Sequence, residues 1–476
     1  VKKIPLPCFV VAAISALWWL PHLFAKGMFM DGVYNALFAH NLASGVGSFW
    51  APQTIYYLQP AYWDNPQLSS FFLSCFYRLL GDNFYVERVY SLVCAVIQLM
   101  LIGYSWQVFF AEDVDVKKYF WLPCLLWLIS PLVGWCYSNN LMENTMTVFT
   151  TASVLSFFSF LRRKENLLMW SPISGFLIFL AFITKGPTGL FPLTVPLFFL
   201  WSVKNFTARN AMTYVFMQTA VFILIFLMVF NFPEPKNFLL HYVDAQLLPV
   251  LKHEVKNENS HFVVLGDLFF ALLPLAVLSV TAVFLPKKFF NDKRFLKTTF
   301  SFMAVGLTAS LPIMLSAKQH KYYLLPSLSM FVWSFSLLIM PLVKFVEEKL
   351  KGFSFIKYET ASKIFLSSVV FLSLLLAVIN KNSFARDKEL LTDIEKIQPL
   401  IQSEKILRAD WLLYDAWLMR AYLDRLYGEK LCMPDENAPA KFYLTKPGKW
   451  GDKLPANSPR IFQCKTFDLY KIESTF

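Results

Sequence analysis

Runs of roughly 17–22 apolar residues, the length that crosses a bilayer core, recur along the whole chain and limit what it can fold into. Eleven are legible, at 4–25, 89–110, 119–137, 143–161, 167–184, 187–203, 211–230, 266–286, 298–316, 322–343 and 364–380. One aqueous core cannot hold them. Phe alone supplies 50 of the 476 residues, and only 16% are charged, against about 25% in soluble domains. The runs at 167–184 and 187–203 are parted only by Lys185-Gly186, so they read as two spans or one re-entrant feature. The sequence predicts an all-α polytopic membrane protein with about eleven transmembrane helices.

Lys and Arg in the connections set the expected orientation. One set of connections holds Lys2-Lys3, Lys117-Lys118, Arg162-Arg163-Lys164, Lys204 with Arg209, Lys287-Lys288 with Lys293, Arg294 and Lys297, and the lysines from Lys344 to Lys363. These alternate with connections poorer in positive charge, which predicts a cytoplasmic N-terminus and an exoplasmic tail. The net charge of +12 records this bias, and basic residues at membrane edges give no footprint for nucleic acid. The first run follows Lys2-Lys3 without a small-x-small cleavage site and reads as an uncleaved span.

Three exoplasmic segments exceed the length of connectors: 26–88, rich in Trp, Tyr and Phe; 231–265; and the tail 381–476. The aromatic loop suits short interfacial helices. In the tail, 384–428 reads as helical. Prolines at 434, 439, 447, 455 and 459 follow, and the alternating run from Arg460 reads as a strand or two. The expected division is a membrane domain over 1–380 and a small exoplasmic α+β domain over 381–476. Cys432 and Cys464 stand alone in that tail and could pair in an oxidising compartment; no cysteine spacing suggests zinc.

Ionisable residues at span ends are the candidate chemistry. Asp31, in Met30-Asp31-Gly32-Val33-Tyr34, lies just past the first run. It could take a proton from an acceptor hydroxyl or amine, or simply cap the helix that follows. Asp64 and Tyr34 would line the same loop. Arg88 opens a long span, as a topological anchor or a phosphate contact. Glu143 sits at the start of another span, where an ionisable group usually lines a cavity. Two basic junctions complete the set: Lys185 in Thr184-Lys185-Gly186-Pro187, and Lys318, His320 and Lys321 before Tyr322 and Tyr323. Snorkelling lysines and belt tyrosines would explain these blandly. Their positive charges, however, oppose the positive-inside bias, and Lys is a point charge suited to phosphate.

Carboxylates and cations expected on one face suit a displacement whose leaving group is a lipid phosphate. A sugar polyprenyl-phosphate carries one negative charge, and its leaving group gains a second as the bond breaks. Fixed cations aimed at that charge lower the barrier.

The ordered motifs resemble bacterial members of glycosyltransferase family 39, the dolichyl-phosphate-mannose protein mannosyltransferase and aminoarabinose lipid A transferase group of the GT-C fold. Asp31, Tyr34, Trp50, Pro52, Pro66, Leu68, Gly81 and Arg88 follow that family's order. So do Phe182-Ile183-Thr184-Lys185-Gly186-Pro187 and the run from Lys318 to Pro326. Gly32 stands where the family often has Glu, and Gln67 replaces the second Pro of its Pro-Pro-Leu element.

The resemblance implies an inverting transferase in a bacterial inner membrane, moving a sugar from undecaprenyl phosphate to a lipid, protein or glycan acceptor. It marks Asp31 as catalytic. Glu143 would hydrogen-bond sugar or acceptor; Lys185, Lys318, His320 and Lys321, with Arg88, would hold the donor phosphate; Tyr34, Asp64, Tyr322 and Tyr323 would line the substrate. Neither a cofactor nor a divalent metal is assigned by any spacing. The rival readings are a lipid-linked sugar flippase or transporter, a polysaccharide ligase or polymerase, and a non-catalytic scaffold. A ligase would use paired arginines in a large loop, and 231–265 has none.

Overall fold

The computed structural model describes residues 5–53, 65–163, 166–251, 260, 262–285, 294–316, 319–350, 355–401, 404–451 and 453–472. Two compact units form. One comprises Val1–Pro21, Asp64–Leu68 and Ser91–Ile379, the other His22–Trp63, Ser69–Tyr90 and Asn380–Phe476.

The first unit is helical. Among the described residues eight helices are long and apolar enough to cross a membrane: Val86–Phe109 (entering from the other unit's residues), Met142–Arg162, Leu167–Lys185, Ala208–Phe230, Val263–Val283, Phe295–Leu315, Lys321–Lys349 and Glu359–Ile379. The pair Val114–Leu128 and Pro131–Ser138, bent by 72°, passes the same test when taken together, as a broken span or a re-entrant loop. The chain is a multi-pass membrane protein. Two of the eleven expected spans fall short. The first run forms an α-helix only over Leu6–Trp19, with a 3-10 turn to His22; fourteen residues reach only about 21 Å at 1.5 Å each. The second, Pro187–Phe198, is mostly 3-10 helix, because Pro187, Pro192 and Pro196 bring no N–H to an α-helical ladder.

Polar side chains and rings share the interior of this unit. The Gln98 amide donates to Thr151 and Ser329 at 2.9 and 2.8 Å. Ser174 donates to Gln218 at 2.9 Å, and a Cβ added at Gly175 would lie 2.3 Å from the Gln218 carbonyl. Helices 167–185 and 208–230 therefore meet backbone to backbone, the close approach that small residues permit in membranes. Phe109, Phe158, Phe199, Phe302 and Trp333 pack as tilted and edge-to-face rings, which is where part of the Phe excess goes. Others face outward, as at Phe216, 73% exposed, consistent with a lipid surround.

The second unit is α+β. Its five-stranded sheet runs β2-β1-β3-β5-β4, with β1 Ile406–Ala409, β2 Lys430–Cys432, β3 Phe442–Thr445, β4 Arg460–Gln463 and β5 Asp468–Lys471. Strand β1 pairs in parallel with β2 and β3; β5 pairs antiparallel with β3 and β4. The parallel β1–β2 step needs a crossover, supplied by helices Trp411–Tyr414 and Trp417–Tyr427. The alternating run from Arg460 does make two strands. The helical expectation over 384–428 is corrected at 406–409, where Leu407 and Ala409 are fully buried in an interior strand; four apolar-leaning residues carry no local period to reveal this.

Helix Met30–Ala43, from the aromatic loop, buries Val33, Tyr34, Leu37 and Phe38 in the same core as Leu391, Ile394, Leu407, Leu423 and Leu469. Cys432 ends one edge strand and Cys464 follows the other. Four strand spacings of about 4.8 Å separate them, far beyond disulfide reach, and both thiols are free.

Candidate active site

Asp31 occupies the first turn of helix Met30–Ala43 and is half-buried. It does not cap that helix: Phe29 takes the N-cap position, with no side-chain cap bond. A carboxylate in the first turn gains from the helix dipole. Three residues on, the Tyr34 ring lies 6.0 Å from Trp417 and 6.1 Å from Phe38. Asn35, one turn past Asp31, bonds Ser69 at 3.1 Å and Ser70 at 2.9 Å, tying the helix to the start of helix Leu68–Leu80.

Arg88 is buried, and its guanidinium donates to the Gly27 carbonyl. Its neighbour Glu87 belongs to a buried cluster around Arg425. That guanidinium reaches Glu87 at 3.0 Å, the Tyr77 hydroxyl at 3.0 Å and Asp82 at 2.9 Å, and Asp82 also meets His40 at 3.0 Å. Burial opposes the charge of Arg425, but Glu87, Tyr77 and Asp82 outweigh it and raise its pKa.

Beside Arg425, burial pushes the Asp424 carboxyl up to about 6. Its folded pKa then exceeds its unfolded one, so its contribution to stability is greatest below about 4 and falls as pH rises to about 6. Asp424→Asn is expected to raise the apparent unfolding midpoint in detergent at pH 8, by the equivalent of about 2–3 kcal/mol. At pH 4 the two proteins should melt together. A gain of equal size at both pH values would contradict this assignment.

In the other unit, Glu143 opens helix Met142–Arg163 and Lys185 closes helix Leu167–Lys185. The Lys185 ammonium lies 3.4 Å from the Glu143 carboxylate, with side chains 9% and 0% exposed. The same ammonium sits 5.7 Å from the Tyr323 ring centroid. Trp135, Tyr322 and His320 form a stack, with centroid spacings of 6.0 and 5.1 Å, and the Lys321 ammonium lies 4.7 Å over Trp135. The structure thus brings Glu143, Lys185, His320, Lys321, Tyr322 and Tyr323 into one neighbourhood. Asp64 and Lys318 lie outside the described residues.

Gly186 turns the chain here at φ +86°, and a Cβ on it would stand 2.2 Å from the Tyr242 hydroxyl. Burial pushes that phenol up to about 12, against the pull of Lys185. Gly186→Ala should therefore destabilise the protein by about 1–3 kcal/mol, the range for a strained φ. It should also displace Tyr242. An unchanged melting midpoint would show that the turn can relax.

Trp135 and Tyr242 carried no motif in the sequence; only the fold brings them to Lys185 and Lys321. Among the described residues no group of three or more His, Cys, Asp or Glu could hold a metal ion.

The chain has a GT-C-like fold. At the level of sequence, residues 64–230 match the family described as dolichyl-phosphate-mannose-protein mannosyltransferase, so the resemblance drawn from the motifs holds. The fold is similar to ArnT from Cupriavidus metallidurans bound to undecaprenyl phosphate, with a TM-score of 0.65 and 13% identity over 97% of each chain. Apo ArnT from the same organism gives 0.67 and 12%, also over 97% of each. The apo oligosaccharyltransferase of Archaeoglobus fulgidus gives 0.55 and 12%, over 92% of this chain and 69% of that one. No curated protein matches the chain.

Proposed function

We propose that this chain is an inverting glycosyltransferase that takes a sugar from a polyprenyl-phosphate donor and passes it to a lipid, protein or glycan acceptor. The observation that carries the reading is the buried Lys185–Glu143 pair at a tyrosine- and histidine-lined junction. A cation held out of water at a helix end is suited to a lipid phosphate. A similar fold has been solved with undecaprenyl phosphate bound, which supports that class of donor.

In this mechanism the acceptor oxygen or nitrogen attacks C1 of the sugar from the face opposite the phosphate. The C1–O bond breaks, its electron pair leaves with the polyprenyl phosphate, and Asp31 takes the acceptor's proton. Lys185, with His320 and Lys321, stabilises the second negative charge as it develops. Glu143 holds the Lys185 ammonium in place and bonds sugar or acceptor. Arg88 stays a weaker candidate for the phosphate set: its guanidinium donates to the Gly27 carbonyl, and a guanidinium carries five N–H donors. The setting proposed is a bacterial inner membrane, with a cytoplasmic N-terminus and a periplasmic tail.

The test is transfer in proteoliposomes, with a panel of radiolabelled undecaprenyl-phosphate sugars and a membrane extract as acceptor source. Label should leave one donor and appear in a product that identifies the acceptor. Labelled lipid crossing the bilayer with no donor consumed would instead establish a flippase.

A further inference from the structure

The main chain entering the Asp31 helix is bonded at nearly every polar group within its unit. The Lys26 N–H donates to the Ser383 carbonyl at 2.7 Å, and the Ala385 N–H donates to the Lys26 carbonyl at 2.9 Å. Gly27, at φ +80°, has no room for a Cβ, which would stand 2.2 Å from the Arg386 carbonyl; its own carbonyl accepts from Arg88. At Met28 the partner is a side chain from the tail. The Met28 N–H donates to the Tyr422 hydroxyl at 3.0 Å. That hydroxyl in turn lies 3.1 Å from the Met28 carbonyl and 2.9 Å from an Asp387 oxygen, either of which can accept its one proton.

Tyr422 is 3% exposed and sits on helix Trp417–Tyr427, the helix that also presents Trp417 to Tyr34 and Arg425 to Glu87. One tail helix therefore grips the chain on both sides of Asp31: three residues before it at Met28, and three after it at Tyr34.

We propose that Tyr422 is a positioning residue for the reaction, fixing through Met28 the place of the Asp31 carboxylate. The inference rests on the catalytic reading of Asp31. Its physical basis is leverage. Met28 is joined to Asp31 by only two intervening residues, so a slip at the Met28 main chain shifts the carboxylate by a comparable amount. A misplacement of about 1 Å can lower a rate on the order of 100-fold. The tail thus takes part in transfer through its hydrogen bond to the main chain at Met28. Burial and Asp387 raise the phenol's pKa, so the hydroxyl keeps its proton across the physiological range.

Tyr422→Phe removes one oxygen and leaves the ring. In proteoliposomes kcat should fall by about 10–100-fold, with the donor KM within about twofold, because Tyr422 belongs to neither proposed substrate contact. Hydrogen exchange read by mass spectrometry on the intact variant should show faster exchange at Met28 and through the first turn of the helix. Tyr427→Phe, the same change on the same helix, should alter neither quantity. An unchanged kcat for Tyr422→Phe, in a protein whose Asp31→Asn variant is inactive, would overturn the positioning role while leaving the function reading intact. A fall in kcat with unchanged exchange at 28–33 would also overturn it. If Asp31→Asn is itself fully active, the function reading fails first, and that outcome is separately visible.

Discussion

Replacing Asp31 with Asn is expected to lower sugar transfer by about 10²–10⁴-fold, the usual contribution of a positioned general base, in a protein that still folds. The two side chains match in shape, and Asp31 is half-buried in a first helical turn that Asn tolerates. The lost carboxylate–dipole attraction costs about 0.3–1 kcal/mol. Gly32 follows directly where the resembling family often has Glu, so no adjacent carboxylate can stand in. The measurement is donor consumption per mole of monodisperse protein, wild type against variant. An Asp31→Asn protein retaining more than a tenth of wild-type activity would remove Asp31 from the mechanism.

A second large effect is expected at the buried pair. Lys185→Met leaves the fully buried Glu143 without the ammonium that sits 3.4 Å away, and breaking such a pair from one side costs about 3–5 kcal/mol. The melting midpoint should drop steeply. Combining Lys185→Met with Glu143→Gln removes both charges and should recover most of that stability, since a neutral pair of similar volume is often tolerated. Activity should behave differently. If Lys185 stabilises the leaving phosphate, the double variant stays about 10²–10³-fold down, the range for losing one preorganised charge-stabilising group. Recovery of both stability and transfer in the double variant would reduce the pair to a structural strut and would falsify its phosphate role.

The motifs legible in the sequence were those whose meaning is local. Asp31 after an apolar run, Lys185 between two runs and the Lys318–Pro326 element can be read within a few residues, because a span boundary and the charge beside it are neighbours on the chain. Partnership could not be read that way. The Arg425–Glu87 contact joins positions 338 apart and the Tyr422–Met28 contact positions 394 apart, and neither Arg425 nor Tyr422 sits in any pattern that would single it out. Arg88 could be read locally as the head of a span, but its bond to the Gly27 carbonyl, 61 positions away, could not.

What the sequence by itself determined is the membrane class, most of the spans and the α+β character of the tail. Each follows from the apolar or alternating content of a short stretch, and the free energy of burying that stretch depends little on what it meets. The tertiary structure alone decided where Pro187–Phe198 leaves the α-helix, that Ile406–Ala409 is an interior strand, that Cys432 and Cys464 lie on opposite sheet edges, and which carboxylate each cation meets. A hydrogen bond or ion pair is directional and acts over a few ångströms. Its partner is set by the path of the whole chain, which no local stretch encodes.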